Sequence, residues 1–125
     1  MKIFRVIVPV ADIEAAAKFY GKLFNVHGEL VSPGRHYFDC EGVILACYDP
    51  RADGDGFDAT PNPDHIYLST DNLEGVYEKV KACDAQNVST VETQPWGERS
   101  FYCKDPFGNP LCFVDSKTLF LGAQK

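Results

Sequence analysis

The sequence predicts an α+β fold in which two βαβββ modules form a cup-shaped mixed sheet with the helices on its convex side. Two observations support this prediction. Short β-branched runs, separated by turn residues, alternate with two amphipathic stretches at helical spacing. The order of these elements also repeats, because a shift of 60 positions places Asn72 on Asp12 and His65 on Arg5. Since each helix covers one face of its own sheet, the other face is left for a partner or a cleft.

The first half begins with a β-branched segment at residues 2–10, which predicts a buried strand. Asp12 is a candidate N-cap for the helix that follows. Apolar residues recur there at helical spacing and form one stripe. The stripe consists of Ile13, Ala16, Ala17, Tyr20, Leu23 and Phe24. Three short strands are then predicted at residues 27–31, 36–40 and 43–48.

Residues 49–64 are rich in Asp, Gly and Pro, and this composition predicts a linker or a loop. Asp49, Asp53 and Asp55 have a spacing that invites comparison with calcium-binding loops. The twelve-residue pattern with its closing Glu is missing, so no calcium site is expected here.

The second half repeats the first. A strand is predicted at residues 65–69, with Asp71 or Asn72 as the cap of a helix. The apolar stripe of that helix consists of Leu73, Val76, Tyr77 and Val80. Strands are predicted at residues 88–91, 99–104 and 111–114. A Pro- and Gly-containing turn at residues 105–110 joins the last two strands.

Length and charge restrict the class of protein. A chain of 125 residues fits one domain, with a first module at about 1–49 and a second at about 64–118. The net charge is −6, and the 12 Lys and Arg residues are scattered, so nucleic acid and membrane surfaces are not expected as partners. The apolar run at the N-terminus is too short for a signal peptide or a membrane span, which predicts a cytoplasmic location.

The five cysteines are an odd number and include no CxxC pair. Their density is too low for a disulfide scaffold, so reduced thiols in the core are expected. The cysteines are Cys40, Cys47, Cys83, Cys103 and Cys112.

One segment resembles a known signature. Residues 95–109, Pro-Trp-Gly-Glu-Arg-Ser-Phe-Tyr-Cys-Lys-Asp-Pro-Phe-Gly-Asn, are similar to a motif of the vicinal oxygen chelate superfamily. That superfamily includes glyoxalase I, bleomycin-resistance proteins, fosfomycin-resistance enzymes and extradiol dioxygenases. The opening strand, the Asp12 cap and the segment that starts at His65 fit as well. The resemblance implies a homodimer with a site inside each cup-shaped sheet.

The resemblance also implies where a metal would be held. In metal-using members, the first and last strand of each module supply His or Glu ligands. The matching positions here are Arg5, Leu45, His65 and Cys112. Leu45 has no donor atom and Arg5 is a permanent cation, so no metal and no other cofactor is expected. An alternative zinc site remains open. If Leu45 faces inward, Cys47 faces inward as well and could bind zinc together with His65 and Cys112.

Other candidate ligand-binding residues surround these positions. Trp96 precedes a strand, and a similar Trp-Gly pair lies near the ligand groove in the bleomycin-resistance proteins. Its ring could stack on a planar ligand, or could pack its loop against the sheet. Family pattern places Ser100 and Tyr102 on the concave side. Tyr67 could likewise offer a hydroxyl to a ligand or complete the core. Arg5 could bind an anion, or form a salt bridge at the surface or at the rim of a dimer.

Two functions follow from these residues. The first is a metal-free protein that sequesters a small aromatic or amphiphilic molecule in the sheet cleft, for which no reaction centre is needed. The alternative is a divergent lyase, isomerase or dioxygenase of the same superfamily that uses His65, with or without a metal. A third possibility is a protein whose dimer surface is its function, with the cup filled by its own side chains.

Overall fold

The first module begins at strand β1 (Arg5–Pro9), which is shorter than the predicted strand at residues 2–10. This computed structural model describes residues 1–122. Helix α1 (Ile13–Phe24) follows, and the Asp12 carboxylate accepts the backbone N–H of Ala15 at 3.1 Å, which confirms the predicted cap. The helix ends at Asn25, whose left-handed backbone (φ 57°) directs its N–H to the carbonyl of Gly21.

Three strands complete the first sheet, at β2 (Glu29–Ser32), β3 (Arg35–Cys40) and β4 (Val43–Tyr48). The spatial order is β1-β4-β3-β2, with β1 parallel to β4 and the other neighbours antiparallel. The predicted loop at residues 49–64 returns to this sheet. Its Asp53 carboxylate accepts hydrogen bonds from the Ser32 hydroxyl and from the backbone N–H of Gly34.

The second module has the same order of elements. Strand β5 (Ile66–Thr70) leads into helix α2 (Leu73–Lys81), which Asn72 caps by accepting the N–H of Gly75 at 3.1 Å. Three strands follow, at β6 (Glu92–Thr93), β7 (Arg99–Lys104) and β8 (Pro110–Asp115). Their order, β5-β8-β7-β6, reproduces that of the first sheet. A short 3-10 turn at Ser116–Thr118 ends the module.

The strand predicted at residues 88–91 is wrong. This segment runs along the edge of β7 without regular strand structure, and its hydrogen bonds to β7 involve Ser89. The N–H of Ser89 donates to the carbonyl of Tyr102, and the Ser89 hydroxyl accepts the N–H of Tyr102. The side chain of Ser89 thereby replaces a backbone partner, and regular pairing begins only at Glu92.

The core lies between the helices and the sheets. On β4, Leu45 and Cys47 pack with Phe38 and the α1 stripe, and on β8, Leu111 and Phe113 pack with Phe101. The opposite face of each sheet is called here its concave face. The predicted α+β fold of two paired βαβββ modules is confirmed, with two four-stranded mixed sheets in place of one continuous sheet.

Hydrogen bonds join the two modules at the predicted turn of residues 105–110. The amide of Asn109 donates to the carbonyl of Pro9 in β1 at 2.6 Å and to the Asp105 carboxylate at 2.9 Å. Its oxygen accepts the N–H of Asn62, whose own side chain donates to the carbonyl of Ile7. Gly108 has φ +90°, a backbone region that other residues rarely adopt, and this closes the turn. This polar junction therefore contributes to the relative placement of the modules, together with the apolar core that residues of both modules share.

Candidate functional site

The concave face of the second sheet brings together five of the predicted site residues. Tyr67, Cys112 and Tyr102 are partners across β5, β8 and β7, so their side chains point to the same face. Ser100 lies on the same face, paired with Val114. His65 directly precedes β5, and its ring lies 5.1 Å from that of Tyr102, centroid to centroid.

The Cys112 thiol and the Tyr102 phenol provide this face with uncharged hydrogen-bonding groups. Burial raises the pKa of the Cys112 thiol, and hydrogen bonds with Ser100 and Tyr102 oppose this shift only in part. Desolvation, followed by the neighbouring Cys112, raises the pKa of Tyr102. Thiol and phenol are both protonated near neutral pH, and both can donate or accept hydrogen bonds.

Trp96 stands at one edge of this face, in the turn between β6 and β7. The turn is closed by backbone hydrogen bonds from Gln94 to the carbonyl of Glu98 and from Gly97 to the carbonyl of Gln94. Gly97 has φ +98°, which a residue with a Cβ would adopt only with strain. The indole N–H of Trp96 donates to the Glu98 carboxylate at 2.7 Å, so the ring has a fixed direction.

The end of the described chain forms the opposite wall. After the 3-10 turn, the segment Leu119–Leu121 (the C-terminal strap) runs back past the Trp96 turn. The backbone N–H of Phe120 donates to the second carboxylate oxygen of Glu98 at 3.0 Å. The N–H of Arg99 donates to the Thr118 hydroxyl at 3.0 Å, which fixes the start of the strap. Glu98 therefore holds the Trp96 ring and the strap at the same time.

Together these elements enclose a pocket of about 460 Å³, which we call the Trp96 pocket. Such a volume accommodates a small organic molecule. Its rings are exposed, at 61% for Tyr67, 47% for Trp96 and 57% for Phe120, although large aromatic side chains tend to be covered. The lining residues are Tyr67, Leu68, Ser69, Trp96, Glu98, Val114, Leu119, Phe120 and Leu121.

The predicted position of Leu45 is wrong. Its side chain is buried in the core on the helix side, where it also borders a smaller cavity at the junction of the two sheets. On β4 the concave residue paired with Ile7 is Ala46, just as Cys112 is paired with Tyr67 on β8. The module-1 counterpart of Cys112 is thus Ala46, which has no donor atom in its side chain.

The zinc site considered for Cys47, His65 and Cys112 is wrong for the same reason. Cys47 shares the face of Leu45 and belongs to the core cluster, opposite the concave face. Burial, and then the nearby Asp105 carboxylate, raises the pKa of the Cys47 thiol to about 12. Within residues 1–122, no group of three or more His, Cys, Asp or Glu side chains is placed to hold a metal ion.

Arg5 lies on the concave face of the first sheet, away from the Trp96 pocket. Its guanidinium stacks over the rings of Phe4 and Tyr37, at 5.1 and 5.3 Å from their centroids. Among the described residues Arg5 forms no ion pair, so the predicted salt bridge is not present within this part of the chain, and one at the rim of a dimer stays a prediction. The cation–π contacts hold the side chain against the sheet.

Several residues of the pocket were missed by the sequence prediction. Ser69 and Val114 follow from strand alternation once Tyr67 and Ser100 are placed on the concave face. Glu98 and the C-terminal strap had a weaker signal. The apolar Leu-Phe-Leu run that follows Ser116–Thr118 indicates a segment that packs against other parts of the protein. Glu98 lies two residues after the single tryptophan.

Two βαβββ modules with uncovered concave faces, the second beside a pocket of exposed aromatic rings, are typical of a class that includes metal-chelating enzymes and small-molecule-binding proteins. Comparison with known proteins agrees with this. The Glyoxalase/Bleomycin resistance protein/Dioxygenase superfamily matches residues 2–113, and the chain belongs to that superfamily. A search among curated protein sequences finds no significant match.

Solved structures show the same fold at low identity. A glyoxalase-related enzyme from Fulvimarina pelagi is 22% identical, with a TM-score of 0.75 over 98% of this chain and 94% of that one. A lactoylglutathione lyase from Agrobacterium tumefaciens is 22% identical, with a TM-score of 0.71 over 93% and 94%. A glyoxalase/bleomycin resistance protein/dioxygenase family enzyme from Burkholderia phytofirmans PsJN is 13% identical, with a TM-score of 0.76 over 95% and 100%. These likenesses concern the fold and not the activity.

Proposed function

We propose that the protein binds a small aromatic or amphiphilic molecule in the Trp96 pocket and sequesters it without a metal ion. The observation that supports this most directly is the exposure of Tyr67, Trp96 and Phe120 around one hollow. Exposed apolar surface that is concave and flanked by a few polar groups is typical of ligand sites. Ser69 and Glu98 supply those polar groups, and the hydroxyls of Ser100 and Tyr102 lie further along the same face.

The donor set argues against metal-dependent chemistry of the superfamily. The four positions that the superfamily resemblance assigns to ligands correspond to Arg5, Ala46, His65 and Cys112, after the correction at Leu45. Two of these have suitable donor atoms, whereas a catalytic divalent ion needs about three protein ligands. Arg5 would in addition repel a cation. The residues present therefore do not fit a metal, and no reaction step is assigned to one.

Fluorescence of the single tryptophan gives a direct test. N-phenylnaphthylamine is an uncharged aromatic probe, and its binding in the pocket is expected to quench the emission of Trp96. Tyr67→Ala should weaken binding about tenfold, because an aromatic contact and its buried area are lost. Tyr37→Ala, on the concave face of the other sheet, is the matched control and should leave affinity unchanged. Failure of a panel of neutral, cationic and anionic aromatic compounds to bind would contradict the proposal.

An enzymatic role of His65 is the second candidate. The imidazole is exposed on the concave face and contacts the rings of Tyr67 and Tyr102, where it could accept or donate a proton. If the protein is a lyase or isomerase, His65→Gln abolishes turnover and leaves ligand binding intact. If it is a binding protein, the same variant changes affinity at most and no turnover is found with the wild type.

The assembly and location also remain proposals. Homodimer formation is supported by exposed apolar residues at the N-terminus and along β1. Within residues 1–122, neither helix has the length and apolarity needed to cross a bilayer. The cytoplasmic location stays a prediction of the sequence, which cell fractionation with an antibody would test.

A further inference from the structure

We propose that the molecule bound in the Trp96 pocket is an organic cation, and that Glu98 is the residue that selects its charge. This inference rests on the proposed function and adds the chemical class of the ligand. Among the described residues that line the pocket, Glu98 is the one charged group. It belongs to no ion pair within the described part of the chain, so its negative charge is available to a ligand.

The cation next to Glu98 in the sequence is engaged elsewhere. Arg99 follows Glu98 directly, but strand alternation turns its side chain to the helix side of the sheet. There its guanidinium contacts the Glu74 carboxylate at 2.5 Å and the Asp115 carboxylate at 3.8 Å. The charge of Glu98 is therefore not neutralised by its neighbour in sequence. Burial is the main cause of the raised pKa of Cys112, and the charge of Glu98 adds to it, so the field of Glu98 reaches that position on the concave face.

The aromatic rings strengthen the preference for a cation. Tyr67, Trp96 and Phe120 all line the pocket, and the face of an aromatic ring attracts a positive charge. The indole N–H of Trp96 donates to Glu98, and this hydrogen bond adds electron density to the ring through polarisation. A neutral ligand would gain only the apolar contact. An anion would meet the carboxylate and the negative ring faces, both of which repel it.

Glu98 also positions two walls of the pocket. One oxygen of Glu98 holds Trp96 and the other holds the N–H of Phe120, so both aromatic walls are positioned by one carboxylate. Glutamine has the same shape but no charge, and its single carbonyl oxygen can accept from one of the two donors. The overall charge of −6 attracts cations from a distance, and this attraction weakens with added salt.

A matched set of bicyclic aromatic probes tests the inference by isothermal titration calorimetry. The set consists of N-methylquinolinium (cationic), methylnaphthalene (neutral) and naphthoate (anionic). We expect N-methylquinolinium to bind about tenfold more tightly than methylnaphthalene, and naphthoate to bind least. Affinity for the cation should fall with added salt, whereas affinity for the neutral probe should not, and this comparison needs no variant.

Charge removal at Glu98 completes the test. Glu98→Gln should lower the affinity for both probes, because one of the two hydrogen bonds that position Trp96 and Phe120 is lost. The loss should be about tenfold larger for N-methylquinolinium than for methylnaphthalene, because only the cation also loses the negative charge. Glu14→Gln, an exposed carboxylate on α1, is the matched control and should have no effect on either. Equal binding of all three probes, or tighter binding of naphthoate, would overturn the cation inference and leave the proposed pocket in place. If no probe of any charge binds, the inference and the proposed function both fail.

Discussion

The hydroxyl of Tyr20 in α1 donates a hydrogen bond of 2.6 Å to the carboxylate of Asp105, in the turn between β7 and β8 of the other module. Both side chains are fully buried. Asp105 also accepts the backbone N–H groups of Phe107 and Asn109 and the side-chain amide of Asn109. Burial, and then the charge of Asp105, raises the pKa of Tyr20 well above its ordinary value. A buried carboxylate is tolerated here because four donors satisfy it.

Removing the Tyr20 hydroxyl is expected to destabilise the whole protein. Tyr20→Phe should lower the free energy of unfolding by about 2 kcal/mol, because a hydrogen bond to a buried charged group is lost. Asp105→Ala should cost more, about 3 to 5 kcal/mol, since it leaves several buried donors without an acceptor. Urea unfolding followed by circular dichroism measures both. Tyr77→Phe in α2 removes the same atom from a half-buried position and should change stability by less; an equal loss would contradict the role of the contact.

Alkaline pH should weaken the fold through two buried thiols. Burial, and then Asp105, raises the pKa of Cys47 and of Cys103 to about 12. The unfolded chain releases these protons near pH 9, so stability is complete below that pH and declines as the pH rises towards 12. Each thiol contributes a slope of about 1.4 kcal/mol per pH unit, and Tyr20 adds to it above pH 10.0, where the unfolded phenol ionises. Denaturant midpoints measured between neutral and strongly alkaline pH should fall accordingly, and the double variant Cys47→Ala, Cys103→Ala should fall less steeply.

Chelation should leave the protein unchanged. The concave positions that correspond to superfamily ligands include Arg5 and Ala46, which cannot coordinate a divalent ion. We expect elemental analysis of the purified protein to find far less than one metal ion per chain. The melting temperature should be the same with and without excess EDTA. A stoichiometric ion, or a melting temperature that falls on chelation and returns with zinc, would contradict the assignment.

The protein should be a dimer that depends on its N-terminal apolar residues. Phe4 is 59% exposed beside β1, and Ile3 and Ile7 are exposed near it, a cluster that would be covered by a second copy. Light scattering after size-exclusion chromatography should give twice the chain mass of 13.9 kDa. Phe4→Asp should shift the population towards the monomer. Phe57→Asp, an equally exposed phenylalanine in the loop at residues 49–64, should not.

Element order and bounds could be predicted where the sequence has a clear period. Helix α1 was predicted correctly because its apolar stripe is regular and Asp12 caps it, and β7 was predicted with its observed bounds. Strand β4 illustrates the limit. All its residues from Val43 to Tyr48 are apolar or aromatic, so alternation does not show which of them face the helix. The assignment of Leu45 to the hollow failed for this reason, since a shift by one residue reverses the face.

The pocket could be predicted only in part, because its walls are positioned in three ways: by strand register, by a turn and by tertiary contacts. Tyr67, Ser100 and Tyr102 follow from strand register. Trp96 is placed by a turn, and the strap is placed by tertiary contacts to Glu98 that no local pattern encodes. The sequence indicated the correct sheet face, but not that Leu119–Leu121 form a wall of the pocket beside it.

Asn109 also determines how the two modules can come apart. Its side chain contacts the first strand, the connecting loop and the final turn, three segments that lie far apart along the chain. Neither module could unfold alone without breaking these hydrogen bonds to the other. The two modules are therefore expected to unfold together, although their architecture is duplicated. Cleavage of the connecting loop would give two fragments, each of which exposes one half of this polar junction.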